Sequence, residues 1–245
     1  MALSKSFLGL RDESKPIACI LQVGPTGVGK TLLCEEIART VYGDSKAMIR
    51  IDCGEYSQSH AITKLLGAPA SYVGYGEPGI LDQIRERPNS LVLFDEIEKM
   101  SPEIINTLFL NIMSTGFVKM SNGVDVSFRN CIIIFTGNVG TKELDLKGNG
   151  IGFGIPGKAE KQKATHETVM KAVRKQFRPE FIGRLTKIVV FNELGPEEMD
   201  KIFDLELAKL QKRLRERHYE LTVTDELKKF IISKVNTKYG ARDLA

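Results

Sequence analysis

The stretch Gly24-Pro25-Thr26-Gly27-Val28-Gly29-Lys30-Thr31 constrains this chain more than any other. It fits the pattern G-x-x-x-x-G-K-[ST], and its flanks suit that pattern. An apolar run, Ala18–Val23, enters it as a buried strand would, and a helical pattern of Leu32, Leu33, Ile37, Ala38 and Val41 leaves it. Glycines let successive backbone N–H groups turn inward around phosphate oxygens, and the following helix aims its positive end at the same anion. The segment from Gly24 through Pro25, Thr26, Gly27 and Val28 to Gly29 is therefore expected to cradle phosphates. Lys30 would reach the β- and γ-phosphates, and the Thr31 hydroxyl would ligate Mg²⁺. ATP or ADP with Mg²⁺ is the expected ligand.

With 245 residues, the chain can bury a large core as one big domain or as a larger and a smaller one. Its net charge of +4 is too weak and too spread out to argue for nucleic acid. The moderate clusters at Lys158–Arg178 and Lys209–Arg217 fall in helical patterns and read as solvated helix faces. The four cysteines (Cys19, Cys34, Cys53, Cys131) are widely spaced and lack C-x-x-C, so buried, reduced thiols of a cytoplasmic protein are expected. The three histidines show no metal-ligand spacing, and no apolar run is long enough to cross a membrane.

Five strand-like runs follow one another: Ala18–Val23, Ala47–Cys53, Ser90–Phe94, Asn130–Thr136 and Lys187–Phe191. Most are apolar without alternation, which suits strands buried on both faces of a parallel sheet. Helical stretches separate them, so the class is α/β with helices on both faces. Ser101 is expected to cap a helix that opens on Pro102-Glu103 and continues through Ile104, Ile105, Leu108 and Ile112. Phe117–Phe128 alternates around Ser121-Asn122-Gly123 and reads as a hairpin, and Lys142–Gly157 reads as an exposed loop. After a composition shift at Asn192–Pro196 come a long amphipathic helix (Glu197 to about Arg217), a short strand (Glu220–Val223) and a helix capped by Thr224. The expected division is a nucleotide-binding domain at 1–192 and a small α-rich domain at 193–245 that ends incomplete.

Leu91–Phe94 is an apolar run ending in Asp95-Glu96. The first acid could hold Mg²⁺ through its water shell, and the second could orient and deprotonate an attacking water. Alone this is equally an acidic turn; downstream of a phosphate loop the hydrolytic reading gains weight. Ile132–Phe135 runs into Thr136-Gly137-Asn138, where the amide could hold the lytic water or simply serve a turn.

At this point the chain resembles the AAA+ modules of the Clp/Hsp100 unfoldases and disaggregases, in particular the second, C-terminal ATPase module of the ClpC/ClpA type, with ClpB as a near relative. The resemblance rests on G-P-T-G-V-G-K-T (24–31), S-Y-V-G-Y (71–75), L-F-D-E-I-E-K (93–99), T-G-N (136–138), F-R-P-E-F-I-G-R (177–184) and Y-G-A-R (239–242). It implies a P-loop fold with a five-stranded parallel sheet flanked by helices, plus the small domain. It also implies that Asn138 is the polar sensor beside the γ-phosphate, Arg184 the arginine finger acting on a neighbouring subunit, and Arg242 the second sensor. A guanidinium supplied in trans implies a ring, hexameric in the full-length protein. The plainer alternative for Arg184 is a surface cation. Gly183 and Thr186 stand where the family usually has Asn and Asp, and Ser71 where it usually has Gly.

By the same resemblance Tyr72 and Val73 form the pore loop that grips an extended polypeptide; the plainer reading packs the aromatics Tyr72 and Tyr75 on the neighbouring helix. Ile151-Gly152-Phe153, between glycines, matches the tripeptide by which some members dock on a ClpP-like peptidase, although a loop could equally tuck its own Phe into the core. The implied function is an ATPase module of a Clp-type unfoldase that threads unfolded proteins, without nucleic-acid or membrane partners. The alternatives are a ClpB-like disaggregase, a nucleic-acid motor, and a nucleotide-gated assembly module, the last opposed by Glu96. No V-I-G-Q-type segment precedes Gly24, so a fragment of a two-module protein with weakened nucleotide binding is expected.

Overall fold

A computed structural model describes residues 11–69, 77–141, 158–234 and 237–244. Two compact units emerge from the internal contacts: one formed by Met1–Val23 with Lys30–Val190, the other by Gly24–Gly29 with Phe191–Ala245.

The first unit is built on a five-stranded parallel sheet in the order β2-β3-β6-β1-β7. Its strands are β1 (Ala18–Val23), β2 (Met48–Asp52), β3 (Leu91–Asp95), β6 (Ile132–Gly137) and β7 (Lys187–Val190). The three central strands are buried at every residue, as unbroken apolar runs require. The edge strand β2 instead alternates, burying Ile49 and Ile51 and exposing Arg50. One face of the sheet, through Ala18, Ile20, Leu91, Leu93, Ile132 and Ile134, packs on Cys34 and Ala38 of helix α1 (Lys30–Tyr42).

The opposite face is larger and aromatic. Phe94 lies 4.6 Å from Phe109 edge-on and 5.6 Å from Phe135, and Phe135 lies 5.3 Å from Phe181. Such pairs are worth about 0.5–1.5 kcal/mol each beyond the area they bury. Phe109 belongs to a helix that starts at Pro102–Ile104, widens into a π-helical stretch at Ile105–Phe109 and resumes at Leu110–Thr115. Ser101 stands at the cap of this helix, yet its side chain makes no capping bond. Its backbone N–H donates to Tyr56 O instead, so the start is fixed by Pro102 and by that tie rather than by the expected hydroxyl.

The hairpin is present: β4 (Phe117–Lys119) and β5 (Asp125–Ser127) pair antiparallel, with Phe117 opposite Ser127. A helix over Lys158–Gln176 and a shorter one over Pro179–Arg184 precede β7. All four cysteines are buried and free. Among the described residues no helix is long and apolar enough to cross a membrane.

In the second unit, the helices Pro196–Arg215 and Asp225–Lys234 are tied by Lys228, whose ammonium lies 2.9 Å from Asp200 and 2.7 Å from Asp204. Thr224 caps the second of these helices, accepting from Leu227 N at 3.3 Å. The strand expected at Glu220–Val223 is not formed. The segment alternates in exposure, but no strand pairs with it among the described residues, and its Leu221 carbonyl accepts from the Gln211 amide at 3.0 Å. Alternation without a partner gives extended chain, not a sheet.

Candidate active site

Parallel register brings four polar side chains into one row at the carboxyl ends of the strands, on the face that α1 covers. Gln22 of β1 is paired with Thr136 of β6, Thr136 bonds Asp95 of β3, and Asp95 bonds Arg50 of β2. The Thr136 hydroxyl donates to Asp95 Oδ1 and accepts from the backbone N–H of Glu96 at 3.1 Å. The Arg50 guanidinium reaches Asp95 Oδ2 at 2.6 Å. Asp95, its side chain only 13% exposed, is thus held from two sides.

The chain turns sharply after Asp95. Glu96 adopts left-handed backbone (φ 57°, ψ 51°), unusual for a residue with a side chain, and begins a short 3₁₀ turn over Ile97–Lys99. This conformation puts the Glu96 carboxylate beside Asn138, whose Nδ2 lies 3.5 Å from Oε1, and 2.5 Å from the Lys99 ammonium through Oε2. Its hydrogen bond to Glu96 holds the Lys99 ammonium above its ordinary pKa. On the other side of Asn138, the Lys30 ammonium donates to Oδ1 at 3.0 Å. Asn138 therefore bridges the lysine of the phosphate-loop motif and the second acid of the Asp-Glu pair.

These residues can hold an anion at Lys30 and set the Glu96 carboxylate, its side chain 32% exposed, nearby. The donors proposed for Mg²⁺, the Thr31 hydroxyl and the Asp95 carboxylate, are both hard oxygens. Among the described residues no cluster of three or more His, Cys, Asp or Glu side chains forms a metal cage. Mg²⁺ keeps several waters and takes one or two protein oxygens plus phosphates, so this sparse oxygen set fits it.

The phosphate-loop segment Gly24–Gly29 lies in the second unit. There the backbone N–H of Ala241, next to Arg242, donates to Gly27 O at 3.0 Å. Gly240 makes this approach possible: a Cβ on it would stand 2.8 Å from Gly27 C and O and from Thr26 O. Arg184 is held elsewhere in the first unit, with Nε donating to Ser114 Oγ at 2.6 Å and Nη1 to Glu180 O at 3.1 Å. Tyr72, Val73, Ile151, Gly152 and Phe153 lie outside the described residues.

Sequence reasoning brought Lys30, Asp95, Glu96 and Asn138 forward, but it gave no role to Thr136, Arg50, Glu98 or Lys99. No residue signal marks Thr136, because only the sheet order brings it beside Asp95.

Residues 15–188 match the family model described as AAA domain (Cdc48 subfamily). The chain belongs to the AAA domain family. Residues 194–245 match the C-terminal, D2-small domain of ClpB protein, which makes this AAA domain a second ATPase module of the Clp/Hsp100 type. It is 40% identical over 245 residues to the ATP-dependent Clp protease ATP-binding subunit ClpC of Staphylococcus aureus (strain USA300), covering 99% of this chain and 30% of that protein. It is equally 40% identical to the negative regulator of genetic competence ClpC/MecB of Bacillus subtilis (strain 168). The AAA domain thus spans about 30% of the length of the curated relatives it matches. Among solved structures it resembles a closed-state cryoEM reconstruction of Hsp104 with ATPyS and FITC casein, with TM-score 0.82 and 36% identity over 99% of this chain and 41% of that one. The S. cerevisiae Hsp104–ADP complex matches equally well.

Proposed function

We propose that this AAA domain hydrolyses ATP to ADP and phosphate, and that within a longer Clp-type protein it drives the threading of unfolded polypeptides through a ring. The observation that carries the reading is the bridge made by Asn138 between Lys30 and Glu96. A side chain in contact with both the phosphate-binding cation and the general base can register whether a γ-phosphate is present.

The mechanism follows from these groups. Backbone N–H groups of Gly24–Gly29 bind the phosphates, and Lys30 neutralises the β- and γ-oxygens. Thr31 and Asp95 would hold Mg²⁺, which would supply charge to offset that of the phosphates. Thr136 and Arg50 keep Asp95 oriented. Glu96 accepts the proton of the water that attacks the γ-phosphorus, and Asn138 positions that water. Arg184, in this reading, serves the site of a neighbouring subunit in a hexamer, and Arg242, of the small domain (193–245), is the second sensor of the γ-phosphate.

Tyr72 and Val73 would grip the polypeptide, and Ile151-Gly152-Phe153 would dock a ClpP-like peptidase. The setting is cytoplasmic, with no nucleic acid or membrane as partner. A disaggregase without a peptidase is the second reading, favoured by the match to the ClpB small domain and by the likeness to Hsp104.

The test uses the full-length protein that carries this domain. ATP-dependent unfolding of a stably folded substrate is expected, lost on Tyr72→Ala while ATP turnover persists. Degradation with a ClpP-type peptidase is expected, lost when Ile151 and Phe153 are both changed to Ala. Unfolding without degradation, with recovery of aggregates, would decide for the disaggregase. Turnover with no unfolding in either assay would contradict the threading proposal.

A further inference from the structure

The acid two residues beyond Glu96 has a place in this site that its sequence position does not announce. Glu98 turns back from the 3₁₀ stretch Ile97–Lys99 toward the end of β6, where its Oε1 accepts the backbone N–H of Asn138 at 3.0 Å. Its other oxygen, Oε2, is buried and has no hydrogen-bond partner among the described residues. A Cβ on Gly137 would stand 2.9 Å from that oxygen, so the glycine of Thr136-Gly137-Asn138 leaves the room in which the carboxylate sits. The turn after β3 therefore grips the end of β6 at two places. The Glu96 N–H holds the Thr136 hydroxyl, and Glu98 holds the Asn138 backbone.

A buried carboxylate oxygen without a partner is costly, and a hydrophobic side chain would spare that cost. Stability alone therefore does not account for an acid here. What the side chain gains is an acceptor for the N–H of the residue whose amide touches both Lys30 and Glu96.

We infer that Glu98 is a positioning residue, which fixes the backbone of Asn138 so that its amide stays in register with Lys30 on one side and Glu96 on the other. The inference rests on the proposed reading of Asn138 and Glu96 as ATPase groups. In this account Glu98 touches neither nucleotide nor water and acts only through Asn138. Losing it lets the end of β6 shift, and the water-positioning amide drifts while Lys30 still binds phosphate.

The test compares Glu98→Ala with Glu98→Gln, whose side-chain carbonyl can accept the same N–H at the same size. Two readouts are taken on the whole 245-residue chain. The first is the ¹⁵N–¹H resonance of Asn138 and its hydrogen exchange. In Glu98→Ala the resonance moves and exchange quickens, and in Glu98→Gln both return toward wild type. The second is steady-state ATP turnover with the affinity for a fluorescent ATP analogue. In Glu98→Ala, kcat falls by roughly twofold to tenfold, the worth of one hydrogen bond, while affinity holds. Glu98→Gln recovers most of the rate.

An unmoved Asn138 amide in Glu98→Ala overturns the inference. So does a Glu98→Gln variant as impaired as Glu98→Ala, because the bond to the amide would then not be what matters. Loss of affinity in step with kcat and melting temperature would mark a purely structural role and also overturn it. If the wild-type chain binds ATP but never turns it over, the ATPase reading fails on its own, and the Asn138 amide alone decides the placement of Glu98.

Discussion

The Lys30 ammonium lies 3.0 Å from the Oδ1 of Asn138, which joins the first turn of α1 to the end of β6 across 108 positions of sequence. An incoming γ-phosphate would compete for this ammonium, so the contact has to loosen or become three-way when ATP binds. Lys30→Ala is therefore expected to abolish measurable ATP binding. Asn138→Ala is expected to bind ATP within a few-fold of wild type, with turnover falling by about 10²–10³, the usual cost of removing one donor from a charge-stabilising site. Titration with a fluorescent ATP analogue beside steady-state turnover separates the two. Equal loss of binding in both variants would contradict distinct roles.

Thr136 is buried, and its hydroxyl serves Asp95 and the Glu96 N–H together. Thr136→Val keeps the shape and removes both bonds. Each buried group left unsatisfied costs about 1–3 kcal/mol, and at this chain length each kcal/mol lowers Tm by about 2–4 °C. Calorimetry is expected to show a clear drop in Tm with turnover reduced further. A valine variant with wild-type melting and rate would contradict the bridge.

Gly240 combines φ 60° and ψ −142°, a backbone region that only glycine adopts readily. Gly240→Ala would also press its Cβ on Gly27 and Thr26 at 2.8 Å. Weaker nucleotide binding is expected, because the Ala241–Gly27 bond inside the phosphate-loop unit cannot persist. Gly183→Ala, where a Cβ meets nothing within 4 Å, is the matching control and is expected to fold normally. Equal nucleotide affinity in the two variants would remove Gly240 from the account.

Burial pushes the Cys19 and Cys34 thiols up to about 12 and Cys131 to about 11 from an ordinary 9.0. The native state keeps these protons while the unfolded chain gives them up above pH 9. Their contribution to stability is therefore intact below pH 9 and is lost as pH rises toward 11–12, by about 1.4 kcal/mol per thiol for each pH unit. Urea unfolding at pH 8 and pH 10 is expected to show a smaller decline in Cys19→Ala than in wild type. A thiol reagent at pH 8 is expected to react slowly until the protein unfolds. Rapid labelling of the native chain would contradict the burial.

Much of this arrangement was legible in the residues. The apolar runs Ala18–Val23 and Leu91–Phe94 could hardly be anything but central strands, and the acids after Phe94 had to emerge at a strand's carboxyl end. The hairpin at Phe117–Phe128 was equally plain, because alternation and Ser121-Asn122-Gly123 agree on one structure. What stayed hidden depends on partners distant in sequence. Thr136 gains its role only because β6 lies between β3 and β1, and Arg50 because β2 flanks β3. Glu98 reads as one acid among several until the turn after Glu96 folds it back on Asn138. The strand expected at Glu220–Val223 failed for the same reason in reverse, since its alternation had no described neighbour to pair with. The π-helical stretch Ile105–Phe109 carries no residue signature, because each of its residues also suits an α-helix.

The central claim is that Glu96 is the base for ATP hydrolysis at a site where Lys30 binds the phosphates. The most direct test measures Mg²⁺-dependent release of phosphate from ATP, together with ATP binding, by wild type and by Glu96→Gln. The account expects turnover in the wild type, and in the variant binding at least as tight with turnover reduced by about 10²–10⁴, the range that general-base catalysis supplies. Undiminished phosphate release from Glu96→Gln would contradict it.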